Sequence, residues 1–379
     1  MDFAFSEEND ALYAATRTDL ERLCAHEEAK HSEGGLRAIW KGFAEARLTG
    51  LPAPVESGGR GLGAVDTARV LEAVGRFSPD FGYAFSLAAH LFTAVVPLWR
   101  AGTDEQRRRF LVPLATGGMI GGNATTEESN GSNISAVATS ATRVRGGYLL
   151  DGEKWFSTNA PVADLLVVYA STDPHAGFTA VTAFLVPMDA PGIEVEEIGA
   201  RIGLNSSPLG RIRFDRCFVP EHHRLGTEGA GTTLFAESMR WERGCLFALY
   251  LGSLSAQLER AIHFVRSRKH ADRPISQYQL VSSRIVDMRL RLDVARLLLY
   301  RAAWLLDSGK TCDLEIALSK LYTSEAAVES SLDAIQVLGG RGCLEQYQMA
   351  RDLQDAIPGR IFSGTSEIQR VLAARCMGL

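Results

Sequence analysis

The hydrophobic period of this chain changes twice, and that constrains the fold more than any single motif. Over 1–117 apolar side chains recur at helical spacing, over 118–227 the period moves towards two, and over 228–379 helical spacing returns. At the start, Ser6 is a candidate N-cap with Glu7 and Glu8 in the first turn, and Leu12, Ala15, Leu20 and Leu23 follow on one face. Further helices are predicted over 67–75, over 85–99 (apolar enough to be largely buried) and from Asp104 onward. In the middle third, Tyr148-Leu-Leu-Asp-Gly-Glu-Lys-Trp-Phe-Ser, Asp164-Leu-Leu-Val-Val-Tyr-Ala-Ser, Thr182-Ala-Phe-Leu-Val-Pro and Ile212-Arg-Phe-Asp-Arg-Cys-Phe-Val-Pro read as strands between turn residues. Asp151-Gly152 predicts a hairpin. Strands this close, with no helices between them, predict an antiparallel barrel or sandwich instead of βαβ units. In the last third, Val281, Ile285, Met288, Leu292, Ala295 and Leu299 trace one stripe of a bundle helix. The expectation is an α+β chain with an N-terminal helical domain 1–117, a middle β-domain 118–227 and a C-terminal helical bundle domain 228–379.

Composition narrows the function. Hydrophobic residues make up 46% and charged residues 22% of 379, as in an ordinary globular protein. Forty basic and 45 acidic side chains give 40 − 45 = −5, so neither nucleic acid nor an anionic membrane is expected as a partner. Six cysteines at 24, 217, 245, 312, 343 and 376 form no Cys-x-x-Cys pair, which fits reduced thiols and a cytoplasmic location. The N-terminus has no basic region followed by an apolar core, and apolar runs such as 245–256 fall short of the roughly 18 residues of a membrane span. No metal site is expected. His26 and His31 are five apart, about 140° around a helix, and His222-His223 reads as surface. The glycine-rich 57–63 segment lacks the spacing of a dinucleotide fingerprint.

Four segments carry a more specific message. Ala124-Thr-Thr-Glu-Glu-Ser-Asn-Gly-Ser-Asn133 resembles Val-Thr-Glu-Pro-Gly-Ala-Gly-Ser-Asp, and Gly152-Glu-Lys-Trp-Phe-Ser-Thr-Asn159 resembles Gly-x-Lys-x-Trp-Ile-Thr-Asn. Arg268-Lys-His-Ala-Asp-Arg-Pro-Ile-Ser-Gln-Tyr-Gln279 is a variant of Arg-x-x-Phe-Gly-x-x-Ile-x-x-Phe-Gln. The fourth is Gln336-Val-Leu-Gly-Gly-Arg-Gly342 with Ile361-Phe-Ser-Gly-Thr-Ser-Glu-Ile-Gln-Arg370. In register, these resemble the acyl-CoA dehydrogenase flavoproteins, whose helical, β and four-helix-bundle architecture matches the layout above. The resemblance implies bound FAD. Thr125, Thr126, Gly131 and Ser132 would form the loop against the flavin, with Thr126 beside N5. Phe156 would cover a ring face and Thr158 would bond its edge. Arg268, Gln279, Gln336, Gly339 and Gly340 would serve the FAD of a neighbouring subunit in a dimer or tetramer, and Thr365 and Glu367 lie at a further cofactor contact. Ser132, Arg243 and Phe362 are the implied substrate contacts.

The resemblance also implies a reaction. A carboxylate whose pKa burial raises removes the α-proton of an acyl thioester while the β-hydride passes to the flavin. Most family members place that glutamate directly before Gly-Thr-Ser, where this chain has Ser363. Glu242 instead resembles the base of isovaleryl-type members, which carry it on an earlier helix. Glu242 is therefore the expected base, and Ser363 is expected to act through its backbone N–H alone. The acyl group would ride on CoA or a carrier protein, with an electron-transfer flavoprotein as a possible electron acceptor. A flavin monooxygenase on the same fold is the alternative, although those lack the base. The third reading is a non-catalytic flavin-fold binding protein.

Overall fold

The computed structural model describes residues 4–25 and 35–379, so the histidines at 26 and 31 lie outside the described residues. Ser6 Oγ accepts from Asn9 N at 3.2 Å and caps the first helix, Glu7–Ala25. Ala64–Phe77 and a long helical run, Phe81–Ala101, complete the main N-terminal layer. Asp80 starts the long run by accepting from Gly82 N at 2.7 Å and Tyr83 N at 3.3 Å, which satisfies two amides that the helix itself leaves unpaired. A π turn, Leu91–Val95, interrupts it. This run corrects the expectation that no apolar segment reaches membrane-span length. It is 21 residues long and apolar enough, yet 89% of its window is buried inside the protein. It is a core helix, because apolar layers face it on both sides.

The middle third forms eight strands: β1 Gly121–Ala124, β2 Ser140–Val144, β3 Gly147–Thr158, β4 Leu165–Ser171, β5 Val181–Pro187, β6 Ile193–Glu197, β7 Leu209–Pro220 and β8 Arg224–Leu225. They run in the order β6-β7-β3-β2-β4-β5-β8, with β1 beside β4. The sheet is antiparallel except where β4 meets β1 and, at one residue pair, β2. It is therefore mixed, because β1 reaches it from the N-terminal helices and no hairpin joins it to β4. The Asp151-Gly152 hairpin does not form. β3 runs straight through it, the register slips between Leu150 and Gly152, and Gly152 has φ 141°. That is a bulge, and the hairpin lies at Arg145-Gly146, where Gly146 supplies φ 83°.

The C-terminal third holds Gly231–Trp241, Ala248–Ser267, Gln279–Asp307, Asp313–Leu338 and Ser366–Cys376. Of the predicted stripe on Gln279–Asp307, Met288, Leu292, Ala295 and Leu299 are buried. Phe92, Phe247 and Leu299 share one core that joins the N-terminal layer to the bundle. Val95, Leu165 and Tyr169 share a second core between Phe81–Ala101 and one sheet face. Alternate β4 residues, Leu166 and Val168, enter a third core on the other face. Phe81–Ala101 thus touches both helical and β cores, and it sets how the two layers meet.

His90 pins that junction. Its Nε2 bonds Thr49 O at 3.1 Å and its Nδ1 accepts from Gly121 N at 2.9 Å, so the ring is neutral. Burial pushes its pKa down to about 4. An unfolded histidine titrates near 6.5, so the unfolded chain gains a proton that the folded one refuses. Stability from this residue is full above about pH 6.5 and falls towards pH 4, by on the order of 3 kcal/mol. Chemical denaturation at pH 7.5 and pH 4.5 should show that loss, and His90→Gln should show a smaller one. The other buried histidine corrects an expectation: His222 is exposed, but His223 sits beneath Phe110 at 5.2 Å between ring centroids.

Candidate active site

Glu242 opens a π turn, Glu242–Leu246, between two helices, a local widening that recurs at functional sites. Its carboxylate is buried, at 6% exposure. Ser363 Oγ donates to Oε1, and Oε2 has no partner among the described residues. Burial raises the carboxyl pKa, opposed by the Ser363 hydrogen bond and by the nearby cations Arg243 and Lys320. A lone buried carboxylate with one free oxygen is equipped to take a proton.

Ser363 lies in the turn before Ser366–Cys376, with φ 56°. Arg243 Nε donates to Ser363 O at 2.7 Å, and Gln369 Nε2 donates to the same oxygen at 3.2 Å and to Gly364 O at 3.0 Å. Arg243 therefore clamps the turn that carries Ser363. Phe362 is enclosed by Phe85 at 4.7 Å and Phe247 at 5.5 Å between centroids, so it packs as a wall. Thr365 caps the last helix by accepting from Ile368 N at 3.3 Å, and Glu367 is exposed.

The β-domain contributes the facing side. Phe85 touches Phe362, and its neighbour Ser86 accepts through its carbonyl from Asn159 Nδ2 at 3.0 Å. One helical turn thus ties the Glu242–Ser363 pair to the end of β3, where Thr158 precedes Asn159. Among the described residues, Thr125 Oγ1 is buried without a hydrogen-bond partner, and so is Trp155 Nε1. Phe156 stands 57% exposed at φ 55°, with the Trp155 ring 5.9 Å away between centroids. Gly131 and Ser132 are exposed at the tip of the same loop. Unpaired polar atoms on this loop and on β3, with a half-exposed aromatic ring on the same strand, suit a planar, polar-edged ring system such as a flavin.

Other expected cofactor residues lie elsewhere. Arg268 lines an open cleft of about 870 Å³ with Phe264, Leu338 and Arg341, and neither Glu242 nor Ser363 lines it. Gly339 and Gly340 follow Leu338 and are exposed, as are Gln336 and Gln279. Arg268 forms no ion pair among the described residues. Three further residues were missed in the sequence. Lys154, fully buried on β3, bonds Glu127 Oε1 at 2.8 Å and Thr125 O at 3.1 Å. Both Lys154 and Glu127 stand inside the quoted motifs, which was the available signal. Lys320 is the third: a lysine among small buried residues of Asp313–Leu338, its ammonium without a hydrogen-bond partner. Burial pushes its pKa down to about 7.

A buried, half-free carboxylate in a chain that also carries a flavin-type loop suits an FAD-dependent oxidoreductase that removes a carbon-bound proton. The sequence agrees with family models for the acyl-CoA dehydrogenase N-terminal domain at 6–118, middle domain at 122–217 and C-terminal domain at 229–378. It is 42% identical to an L-prolyl-[peptidyl-carrier protein] dehydrogenase of Serratia sp. (strain ATCC 39006), covering 100% of this chain and 99% of that protein. The structure superposes on the FAD complex of PigA with a TM-score of 0.96 at 42% identity, covering 100% of both chains. It superposes on the prolyl acyl carrier protein oxidase AnaB with a TM-score of 0.93 at 34% identity, covering 99% of this chain and 100% of that one. The chain belongs to the acyl-CoA dehydrogenase family. It is an FAD-dependent dehydrogenase that introduces an α,β-double bond into an acyl thioester.

Proposed function

We propose that the substrate is an aminoacyl thioester carried by a peptidyl-carrier protein, an L-prolyl group foremost, and that Glu242 is the base. The end-to-end likeness to prolyl-carrier dehydrogenases supports the substrate. The free Oε2 of buried Glu242 is the observation that carries the base. Bound FAD would accept the β-hydride. The chain's own part is to orient the thioester and move the α-proton. Negative charge growing on the thioester oxygen needs a fixed donor, and the Ser363 N–H, given to no protein acceptor among the described residues, would supply it. Phe85 and Phe362 wall the acyl site and exclude water. Thr125 and Thr126 would hold the flavin, with Phe156 over one face and Thr158 at its edge. The retained base argues against the monooxygenase reading. Anaerobic mixing with an L-prolyl-loaded carrier protein should bleach the flavin, whereas isovaleryl-CoA should bleach it far more slowly. Fast bleaching by isovaleryl-CoA alone would overturn the substrate.

The same reading assigns the chain three domains, 1–117, 118–227 and 228–379, a cytoplasmic place and electron-transfer flavoprotein as acceptor. It also makes the protein a homo-oligomer. On Gln279–Asp307, Val286, Leu290, Leu297 and Trp304 are exposed and fall within about 40° of one another around the helix, an apolar stripe suited to a second copy. Arg268, Gln279 and Gly340, distant in role from the Glu242 pair, would complete the FAD site of that copy. FAD content should therefore fall with oligomer mass on dilution. A monomer that keeps its FAD would contradict this.

A further inference from the structure

The base assignment leaves one feature unexplained. Ser363 is a non-glycine residue held at φ 56°, beside Gly364 at φ 88°. Left-handed backbone at a residue with a Cβ persists only where its surroundings enforce it. They do so here. Arg243 and Gln369 both donate to the Ser363 carbonyl, and on the other side Phe362 is fixed by the Phe85 and Phe247 rings. A turn that needed only its N–H would be served better by glycine, which adopts this φ freely. Serine adds one thing, a hydroxyl, and that hydroxyl donates to Glu242 Oε1.

We propose that the Ser363 hydroxyl is the positioning group of the base: it holds Oε1, so that Oε2 alone is presented to the substrate α-carbon. The inference rests on Glu242 being the base. The Arg243–Ser363 carbonyl bond is part of the same device, because it turns the hydroxyl and the N–H of one residue to two different tasks.

The charged and titratable groups facing Glu242 are Arg243 on its own turn, Lys320 from Asp313–Leu338 and the Tyr169 hydroxyl from β4. Arg243, Lys320 and the Ser363 hydrogen bond all favour the carboxylate, against burial. Removing the hydroxyl takes away one of three supports and leaves the two cations. The ascending limb of the flavin-reduction rate against pH should then move upward. Lys320, pushed down to about 7 by burial, is present in wild type and in both variants, so the comparison with wild type isolates the hydroxyl.

The test uses Ser363→Ala and Ser363→Gly in the FAD-loaded protein, with anaerobic reduction by L-prolyl carrier protein followed from pH 5.5 to 9. Both variants keep the N–H, and glycine also removes the backbone strain. The expected result is the same upward shift in both, a plateau rate lowered roughly tenfold by lost orientation, and unchanged FAD content. Profiles that superimpose on wild type would overturn the proposal. So would a shift in the alanine variant alone, which would mark strain instead of the hydroxyl. If Glu242→Gln reduces flavin normally, the base assignment fails. If Glu242→Gln is inactive while both Ser363 variants match wild type, only this inference fails.

Discussion

Glu242→Gln should retain FAD and lose nearly all anaerobic bleaching by substrate. The amide is almost isosteric with the acid, and the Ser363 hydroxyl can still donate to its carbonyl oxygen, so packing is kept. What disappears is the carboxylate proposed to accept the α-proton. General-base catalysis is typically worth about 10²–10⁴-fold, and for so weak a carbon acid the loss should reach the top of that range. A matched variant sharpens the test. Glu242→Gly with Ser363→Glu returns the carboxylate to the position used by most of the family and should recover part of the rate. The left-handed backbone at 363 limits that recovery, because glutamate is strained at φ 56°. A rate near wild type for Glu242→Gln, measured by stopped-flow at 450 nm, an approximate flavin maximum outside the protein's own absorbance, would remove Glu242 from the mechanism and favour the monooxygenase reading.

Much of this architecture was legible because local pattern and tertiary layer agree. The stripe from Met288 to Leu299 predicted a bundle helix, and those residues are buried. β3, β4, β5 and β7 lie where alternating apolar runs placed them. Two readings failed for reasons of context. Asp151-Gly152 has hairpin chemistry, but its strand continues into β7 pairing, and the glycine serves a bulge. Phe81–Ala101 is longer at both ends than the predicted helix over 85–99, because Asp80 caps it four residues earlier than the apolar run suggests. At the site, Glu242 and Ser363 stand 121 residues apart, and their pairing was legible only through the family resemblance. What no pattern revealed was the hydroxyl contact between them. Side-chain direction at a left-handed residue is a tertiary result, enforced here by Arg243 and Gln369. Lys320 was hidden for a related reason: a lysine on a helix usually reads as a solvated face.

The buried pair Glu127–Lys154 should show the largest stability effects, and they should be unequal. Glu127 accepts from Ala138 N at 2.6 Å, Thr139 N at 2.8 Å, Thr139 Oγ1 at 2.7 Å and Lys154 Nζ at 2.8 Å. Lys154 has two acceptors, Glu127 and Thr125 O. The two titrations reflect that imbalance. The carboxyl is held below its usual range because four donors outweigh burial, whereas burial wins at the ammonium and pushes it down to about 8. Removing one partner of a buried pair costs about 3–5 kcal/mol, because the other charge is stranded. Glu127→Leu strands the less supported ion and orphans two amides as well, so it should reach or exceed that range. Lys154→Met leaves a carboxylate with three donors and should cost less. The loop that carries Glu127 also carries Thr125 and Thr126, and β3 holds it a second time through Trp155 N to Thr126 O at 2.8 Å. Lys154→Met should thus fold but bind FAD weakly, which flavin titration of the apoprotein would measure. The double variant Glu127→Leu with Lys154→Met should be more stable than Glu127→Leu alone, since no ion is left unpaired. Denaturant midpoints for the four proteins decide the matter: additive losses would mean that the pair does not act as a unit.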